Sequence, residues 1–240
     1  MNRLQKHVKC TQKKELEPFE KFFDKIVKDE HGRYRSWELC YQAFGNVFKK
    51  TSVSKDEIEI LALHLAFYLA SWGMYRGSSF LQKKDYLIHV PVVKKILEYR
   101  ELYGIEWTED KIENLSDKLE ELFKFIDDYY SKIRKQIKKT KMDISDILIT
   151  KILMGSLGCV PAYDRFFKKG IAGISTKTYN GKKSLNDLVN FYKTNKEQFD
   201  KIFSIRQKVI KYPQMKKIDL FFWYKGFSEE NSKNNQEPAY

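Results

Sequence analysis

The chain has few cysteines, histidines, prolines and glycines: 3, 4, 5 and 11 of them in 240 residues. The cysteines are Cys10, Cys40 and Cys159, odd in number and far apart, so neither a disulfide framework nor a zinc site is indicated. The low glycine and proline content argues against a turn-rich β-sandwich and favours helices. No segment alternates clearly between apolar and polar residues, so no strand is predicted.

Long apolar segments are also absent. Residues 1–14, MNRLQKHVKCTQKK, lack the apolar region of a signal peptide. The longest apolar run, residues 60–72, contains a histidine and is too short to span a bilayer. The sequence therefore predicts a reduced, cytoplasmic protein without a membrane partner, and it indicates neither a bound metal nor a cofactor.

Acidic residues are outnumbered by basic ones. The chain has 45 Lys and Arg against 32 Asp and Glu, which gives a formal net charge of +13. A basic surface points first to nucleic acid or to an anionic membrane as partner. Only 8 of the 45 basic residues are arginine. A solvated lysine surface without a specific ligand is therefore the alternative explanation.

Helical periodicity is what the sequence has in abundance. Ser54 and Glu57 have the spacing of a capping box, and the helix after them, about residues 57–72, is apolar on nearly every face. We predict an all-α protein: one compact multi-helix domain (residues 1–227) around this buried central helix, with a polar tail over residues 228–240. Other helices are predicted at 13–28, 36–49, 85–103, 145–157, 184–194, 196–210 and after Pro213.

A heptad pattern extends over three repeats between Ile112 and Ile133. It is typical of a long helix packed inside a bundle, and an intermolecular coiled coil is the alternative. Oligomeric state does not follow from the pattern.

Arginine is rare in this lysine-rich chain, yet it recurs in three aromatic segments. Arg33 and Arg35 lie in GRYRSWELCY, Arg76 in LASWGMYRGSSF, and Arg165 in PAYDRFF. A guanidinium group binds phosphate or carboxylate through two hydrogen bonds and stacks on rings, which an ammonium group does not do. Alternatively, these arginines pair with nearby carboxylates such as Asp164 and Glu38, or stack on tryptophan, and hold the loops together.

The segment LASWGMYRGSSF contains two glycines four residues apart. Gly73 is predicted to end the preceding helix in a left-handed conformation, and Gly77 allows a second bend. Arg76 would then project beside Ser78 and Ser79, where backbone N–H groups, hydroxyls and a guanidinium together suit an anion. Equally, one of the serines caps the next short helix while the tryptophan anchors the loop in the core.

Residues 150–167, TKILMGSLGCVPAYDRFF, place Asp164 at a predicted helix N-terminus after a proline turn. This segment resembles the part of helix-hairpin-helix DNA glycosylases where a helix is followed by a proline and a V-D-T-H-V-type aspartate. In that family the aspartate is catalytic and stabilises an oxocarbenium-like sugar as the base leaves, so the resemblance implies a catalytic Asp164. The glycine-rich hairpin of the family is missing, and Arg165-Phe166 stands where the family has Thr-His.

The combination of RYRSWE, LASWGMYRGSSF and GCVPAYDRFF also resembles a family of uncharacterised bacterial all-α proteins, which implies no activity. We predict that the arginine-bearing segments form one basic, aromatic-lined cleft that binds nucleic acid or nucleotide phosphates. The alternatives are a glycosylase-like base-excision enzyme and a non-catalytic protein-interaction or oligomerisation module. The predicted phosphate contacts are Arg33, Arg35, Arg76, Ser78, Ser79 and Arg165, and the predicted rings are Trp37, Trp72, Tyr75 and Tyr163.

Overall fold

A computed structural model describes residues 13–138, 144–206 and 209–233. Over these ranges the chain forms α-helices and short 3-10 turns without any strand, which confirms the all-α prediction. None of the helices described is long and apolar enough to cross a membrane. The helices are α1 (Lys13–Lys28), α2 (Arg35–Phe48), α3 (Lys55–Ser71), α4 (Val90–Leu97), α5 (Glu109–Lys138), α6 (Asp146–Ser156), α7 (Arg165–Gly170), α8 (Gly181–Phe203) and α9 (Gln214–Lys233).

Three predicted boundaries differ from the structure. The helix predicted over 85–103 is divided, because 3-10 turns flank α4 on both sides. The two helices predicted around residue 195 are one continuous α8, in which the buried Asn195 amide donates to the Phe191 carbonyl oxygen within the helix. Helix α9 continues to Lys233, into the range predicted as a polar tail, while residues 234–240 lie outside the described part of the chain.

Helix α6 is more completely buried than α3. Every residue of α6 from Leu148 to Ser156 is buried. Helix α3 instead exposes Ile60, Leu63 and Phe67 by 54%, 51% and 61%, because its neighbours α2, α4 and α6 leave one of its faces open. The helix predicted at 57–72 is present, packs against several neighbours and begins at the predicted capping box, but it is not buried on nearly every face.

The heptad residues of α5 face the interior of the molecule. Ile112, Leu119, Leu122 and Ile126 are buried, and α5 packs against α4, α6 and α8. The apolar face of this helix is therefore used within the chain, as expected of a bundle helix.

Helices α7 and α9 cross at two glycines. A Cβ atom at Gly170 would overlap the carbonyl oxygen of Phe222, and one at Gly226 would overlap the carbonyl oxygen of Phe166. Only glycine lets the two backbones approach so closely. Because α7 begins next to Asp164, this crossing positions one wall of the site described below.

Candidate functional site

Three of the arginines singled out in the sequence line one surface cavity of about 510 Å³. Arg33 comes from the turn before α2, Arg76 from the loop after α3, and Arg165 from the first turn of α7. Lys151 of α6 and Asp164 line the same cavity. We call this cavity the arginine cleft; its aromatic lining consists of Trp72, Phe166 and Trp223.

The loop after α3 both ends that helix and forms one wall of the arginine cleft. Gly73 has φ +78°, which confirms the predicted left-handed helix end, and Gly77 has φ +61° at the predicted second bend. The Met74 N–H donates to the Leu69 carbonyl oxygen at 2.8 Å and closes the helix end. A Cβ atom at Gly73 would lie 2.7 Å from Nε of Arg76, so glycine there also makes room for the Arg76 side chain.

The two serines of this loop have a structural position. Ser79 Oγ accepts a hydrogen bond from the Leu81 N–H at 3.2 Å and caps the 3-10 turn Phe80–Lys83. Ser78 is exposed. Neither serine lines the arginine cleft, contrary to their predicted role as phosphate contacts. Ser79 instead has the capping role that was the alternative.

The Arg33 guanidinium lies over the Trp72 ring, 5.1 Å from its centroid. The indole N–H of Trp72 donates to Ser36 Oγ at 3.2 Å, which holds that ring against the start of α2. Within the described residues no carboxylate forms an ion pair with Arg33 or with Arg76. In the part of the chain that the structure describes, the charge of these two guanidinium groups is therefore not balanced by a direct ion pair.

Arg165 is partly neutralised. Its guanidinium lies 3.0 Å from Oε1 of Glu230 and stacks over the Phe166 ring at 4.5 Å. The Arg165 side chain is 73% exposed, so this pair is weak in water and open to exchange with another anion.

The buried side of the cleft is formed by Lys151 and Asp164. Lys151 Nζ donates to the Trp72 carbonyl oxygen at 2.8 Å and lies 3.7 Å from Oδ2 of Asp164. The other carboxylate oxygen, Oδ1, accepts from the Phe166 and Phe167 N–H groups, both at 3.1 Å. Asp164 is thus the N-cap of α7, as predicted, and its Oδ2 faces Lys151.

Burial shifts the titration of both groups. It lowers the pKa of Lys151, with Asp164 acting in the opposite direction. It also raises the pKa of Asp164, again opposed by Lys151. In each case burial is the largest cause, so the environment disfavours both charges and the pair compensates this only in part.

A second buried ion pair lies beneath the cleft. Lys216 Nζ is 2.8 Å from Oδ2 of Asp219, and both side chains are nearly inaccessible. Oδ1 of Asp219 accepts from the Ala162 N–H at 2.9 Å, and Thr150 Oγ1 accepts from the Tyr163 N–H at 3.1 Å. These bonds hold the segment that leads to Asp164 against α6 and α9.

Several residues predicted for the cleft lie elsewhere. Trp37 and Tyr163 are fully buried in the core, where they cannot reach a ligand. Arg35 lies 3.4 Å from the buried Glu38 carboxylate, as the alternative reading of the arginines expected. Of the four predicted rings only Trp72 lines the cleft, which corrects the predicted aromatic set.

Tyr75 supports the Arg76 loop from outside the cleft. Its hydroxyl lies 2.7 Å from Nε2 of His89, whose Nδ1 lies 2.5 Å from the hydroxyl of Tyr130 on α5. His89 is inaccessible to solvent, and burial lowers its pKa to about 3. The neutral imidazole therefore connects the loop to α5 at physiological pH.

Sequence reasoning did not single out Lys151, Phe166 or Trp223. The signal for Lys151 was present, because a lysine inside the apolar stretch ILITKILMG must either be buried or break the apolar pattern. The two rings gave no signal, since an aromatic residue in an apolar helix is ordinarily core.

Another surface cavity, of about 660 Å³, lies between α5 and the start of α8. Its carboxylates face an equal number of ammonium groups: Glu120, Asp127 and Asp128 against Lys124, Lys182 and Lys183. Charge is balanced there, in contrast to the arginine cleft. Across the described ranges no cluster of three or more His, Cys, Asp or Glu side chains could hold a metal ion.

No protein-family model, curated protein or solved structure matches the chain. The chemistry of the arginine cleft is therefore the basis for assigning a function.

Proposed function

We propose that the protein binds nucleic acid or nucleotide phosphates in the arginine cleft. The observation that carries this proposal is the convergence of Arg33, Arg76 and Arg165, from three separate chain segments, on one cavity. Among the described residues, four cationic side chains line the cleft together with one carboxylate, that of Asp164, and Glu230 pairs with Arg165. Such an excess of positive charge at a concave surface attracts anions.

Phosphate bound to a base or sugar suits the cleft better than inorganic phosphate alone. Trp72, Phe166 and Trp223 line it beside the guanidinium groups. Bases stack on aromatic rings and on guanidinium planes, and basic grooves with such rings bind single strands with little sequence preference.

The test is binding of a fluorescein-labelled single-stranded DNA, followed by fluorescence polarisation. Arg33→Ala and Arg76→Ala should each weaken binding about tenfold, because each removes a charge-assisted contact to phosphate. The matched control is Arg100→Ala. That guanidinium is exposed, lies outside the cleft and donates to the Lys50 carbonyl oxygen at 3.3 Å.

The control variant should bind like the wild type. Unchanged affinity of Arg33→Ala and Arg76→Ala, with circular dichroism showing intact folds, would place the binding site elsewhere. Absence of binding to single-stranded and duplex DNA and RNA alike would remove the proposed function.

A base-excision activity is the second candidate, favoured by the position of Asp164. Asp164 lines the same cleft, its Oδ2 lies 3.7 Å from Lys151 Nζ, and burial raises the pKa of its carboxyl group. A carboxylate there could stabilise positive charge on a sugar as the base leaves with the bonding electrons and water adds to the anomeric carbon. The N-cap bonds of Oδ1 give Asp164 a structural role as well.

Asp164→Asn separates the two roles, because an asparagine side chain still caps a helix. We expect this variant to keep its fold and to lose base release from damaged duplexes. Base release at the wild-type rate by Asp164→Asn, or no release by the wild type from any damaged duplex, would exclude this second function.

A further inference from the structure

We infer that the arginine cleft receives one unpaired nucleobase, and that Lys151 and Asp164 together bind the hydrogen-bonding edge of that base. This inference rests on the proposed function and specifies which part of the nucleic acid enters the cleft.

The size of the cleft limits what can enter. A cavity of about 510 Å³ falls in the usual range of pockets for small molecules, about 300–1,000 Å³. One nucleotide fits into such a volume, whereas a base pair held in a duplex stack cannot reach its buried side. A base must therefore be unpaired, in a single strand or turned out of a duplex, to contact the residues there.

Lys151 and Asp164 offer one donor and one acceptor side by side. An ammonium group has three N–H donors, and the structure assigns one of them to the Trp72 carbonyl oxygen. Oδ1 of Asp164 already accepts two backbone N–H bonds, which leaves Oδ2 as the acceptor that faces Lys151 at 3.7 Å. The pairing edge of a nucleobase carries an adjacent donor and acceptor, so it complements this pair.

The distribution of charge sets the orientation of the nucleotide. Arg76 and Arg165 are exposed, whereas Lys151 is only 5% exposed. The Asp164 carboxylate repels a phosphate from the buried side, and the exposed guanidinium groups attract it to the rim. The phosphate then stays outside, and the base lies inside between the aromatic rings.

The experiment uses strands in which every position is an abasic tetrahydrofuran residue except one. One strand carries a single thymine, a second carries difluorotoluene, which has the shape of thymine but lacks its hydrogen-bonding groups, and a third is abasic throughout. Wild-type protein should bind the thymine strand about tenfold more tightly than the other two, as expected of a bidentate base contact.

Lys151→Met and Asp164→Asn should each reduce the advantage of the thymine strand over the fully abasic strand to less than about threefold. The ratio of the two affinities is the readout, because either substitution also changes the net charge of the cleft and with it the affinity for phosphate. Asp164→Asn retains a cap for α7, so it gives a folded variant even if Lys151→Met does not. Thermal unfolding followed by circular dichroism checks both folds. A free nucleotide and a strand would make the same base contact, so competition by thymidine monophosphate distinguishes them as natural ligands. Displacement of the strand by the monophosphate indicates a free nucleotide, and lack of displacement indicates a strand.

Equal wild-type affinity for the thymine and difluorotoluene strands would overturn the base-reading inference. If the fully abasic strand still bound in a manner that depends on Arg33 and Arg76, the proposed phosphate binding would stand without the base-reading inference. Absence of binding to all three strands, together with failure of natural single strands, would overturn both.

Discussion

The side-chain nitrogen of Lys151 donates a hydrogen bond to the carbonyl oxygen of Trp72, across 79 positions of sequence. The same nitrogen lies 3.7 Å from the Asp164 carboxylate. One buried ammonium group thus connects the loop after α3 to the start of α7, which are two walls of the arginine cleft. A site held from both sides in this way is organised before any ligand arrives.

The first prediction concerns this buried pair. Lys151→Met leaves the Asp164 carboxylate without its partner and should lower the free energy of unfolding by about 3 kcal/mol. The double variant Lys151→Met/Asp164→Asn removes both charges, so its cost should be smaller than the sum of the two single costs. Urea denaturation of the four proteins measures the difference; strictly additive costs would show that the two groups do not interact.

The second prediction concerns the glycine crossing of α7 and α9. Gly226→Ala should destabilise the protein by about 2 kcal/mol or more, because the added methyl group overlaps the Phe166 carbonyl oxygen. The two helices must separate to accept it, which moves α7 and the cleft wall that it carries. Glu229→Ala in the same helix is exposed and should cost less than about 0.5 kcal/mol. Similar midpoints for the two variants in thermal unfolding would contradict the close approach.

The third prediction concerns the acid side of the stability curve. His89 has a pKa of about 3 in the folded protein, against about 6.5 in an unfolded chain. Between these values the unfolded state binds the extra proton, so stability decreases as the pH falls. The loss assigned to His89 is about 2 kcal/mol between about pH 7 and pH 5.

The variant His89→Gln should lack this component. Denaturation at the two pH values gives the difference directly, and the carboxylates common to both proteins cancel in the comparison. An identical pH dependence of wild type and His89→Gln would mean that His89 is charged, or accessible, in the folded state.

The fourth prediction compares two leucines of α3. Leu65 is fully buried and Leu63 is 51% exposed. Leu65→Ala should cost about 2–5 kcal/mol, since it leaves a cavity, whereas Leu63→Ala should cost less than about 1 kcal/mol. Comparable losses at the two positions would show that the open face of α3 is covered within the chain after all.

Local patterns in the sequence predicted local structure well. The Ser54 capping box, the left-handed Gly73 and the Asp164 N-cap all follow from short-range backbone chemistry, and each is found. The exposure of one face of α3 could not be predicted from short-range patterns. The apolar residues Leu63 and Phe67 do not by themselves indicate whether a neighbouring helix covers them, and no helix of the described ranges does.

The candidate site was predictable only in outline. Arginine in a lysine-rich chain pointed to Arg33, Arg76 and Arg165, which share the cleft. Burial of Trp37 depends on contacts with distant segments, such as the Met154 carbonyl oxygen that its indole N–H meets at 2.9 Å. Lys151 was missed although its place inside the apolar stretch ILITKILMG carried a signal, because the lysine-rich composition directed attention to the arginines.

Salt dependence of single-strand binding tests the central proposal most directly, because release of counterions reports how many phosphates the cleft neutralises. Three arginine contacts predict a slope of about −2 for log affinity against log salt concentration, at about −0.7 for each phosphate. Arg33→Ala and Arg76→Ala should each reduce that slope by about 0.7, and Arg100→Ala should leave it unchanged. An affinity independent of salt, or the same slope in all four proteins, would contradict phosphate binding in the arginine cleft.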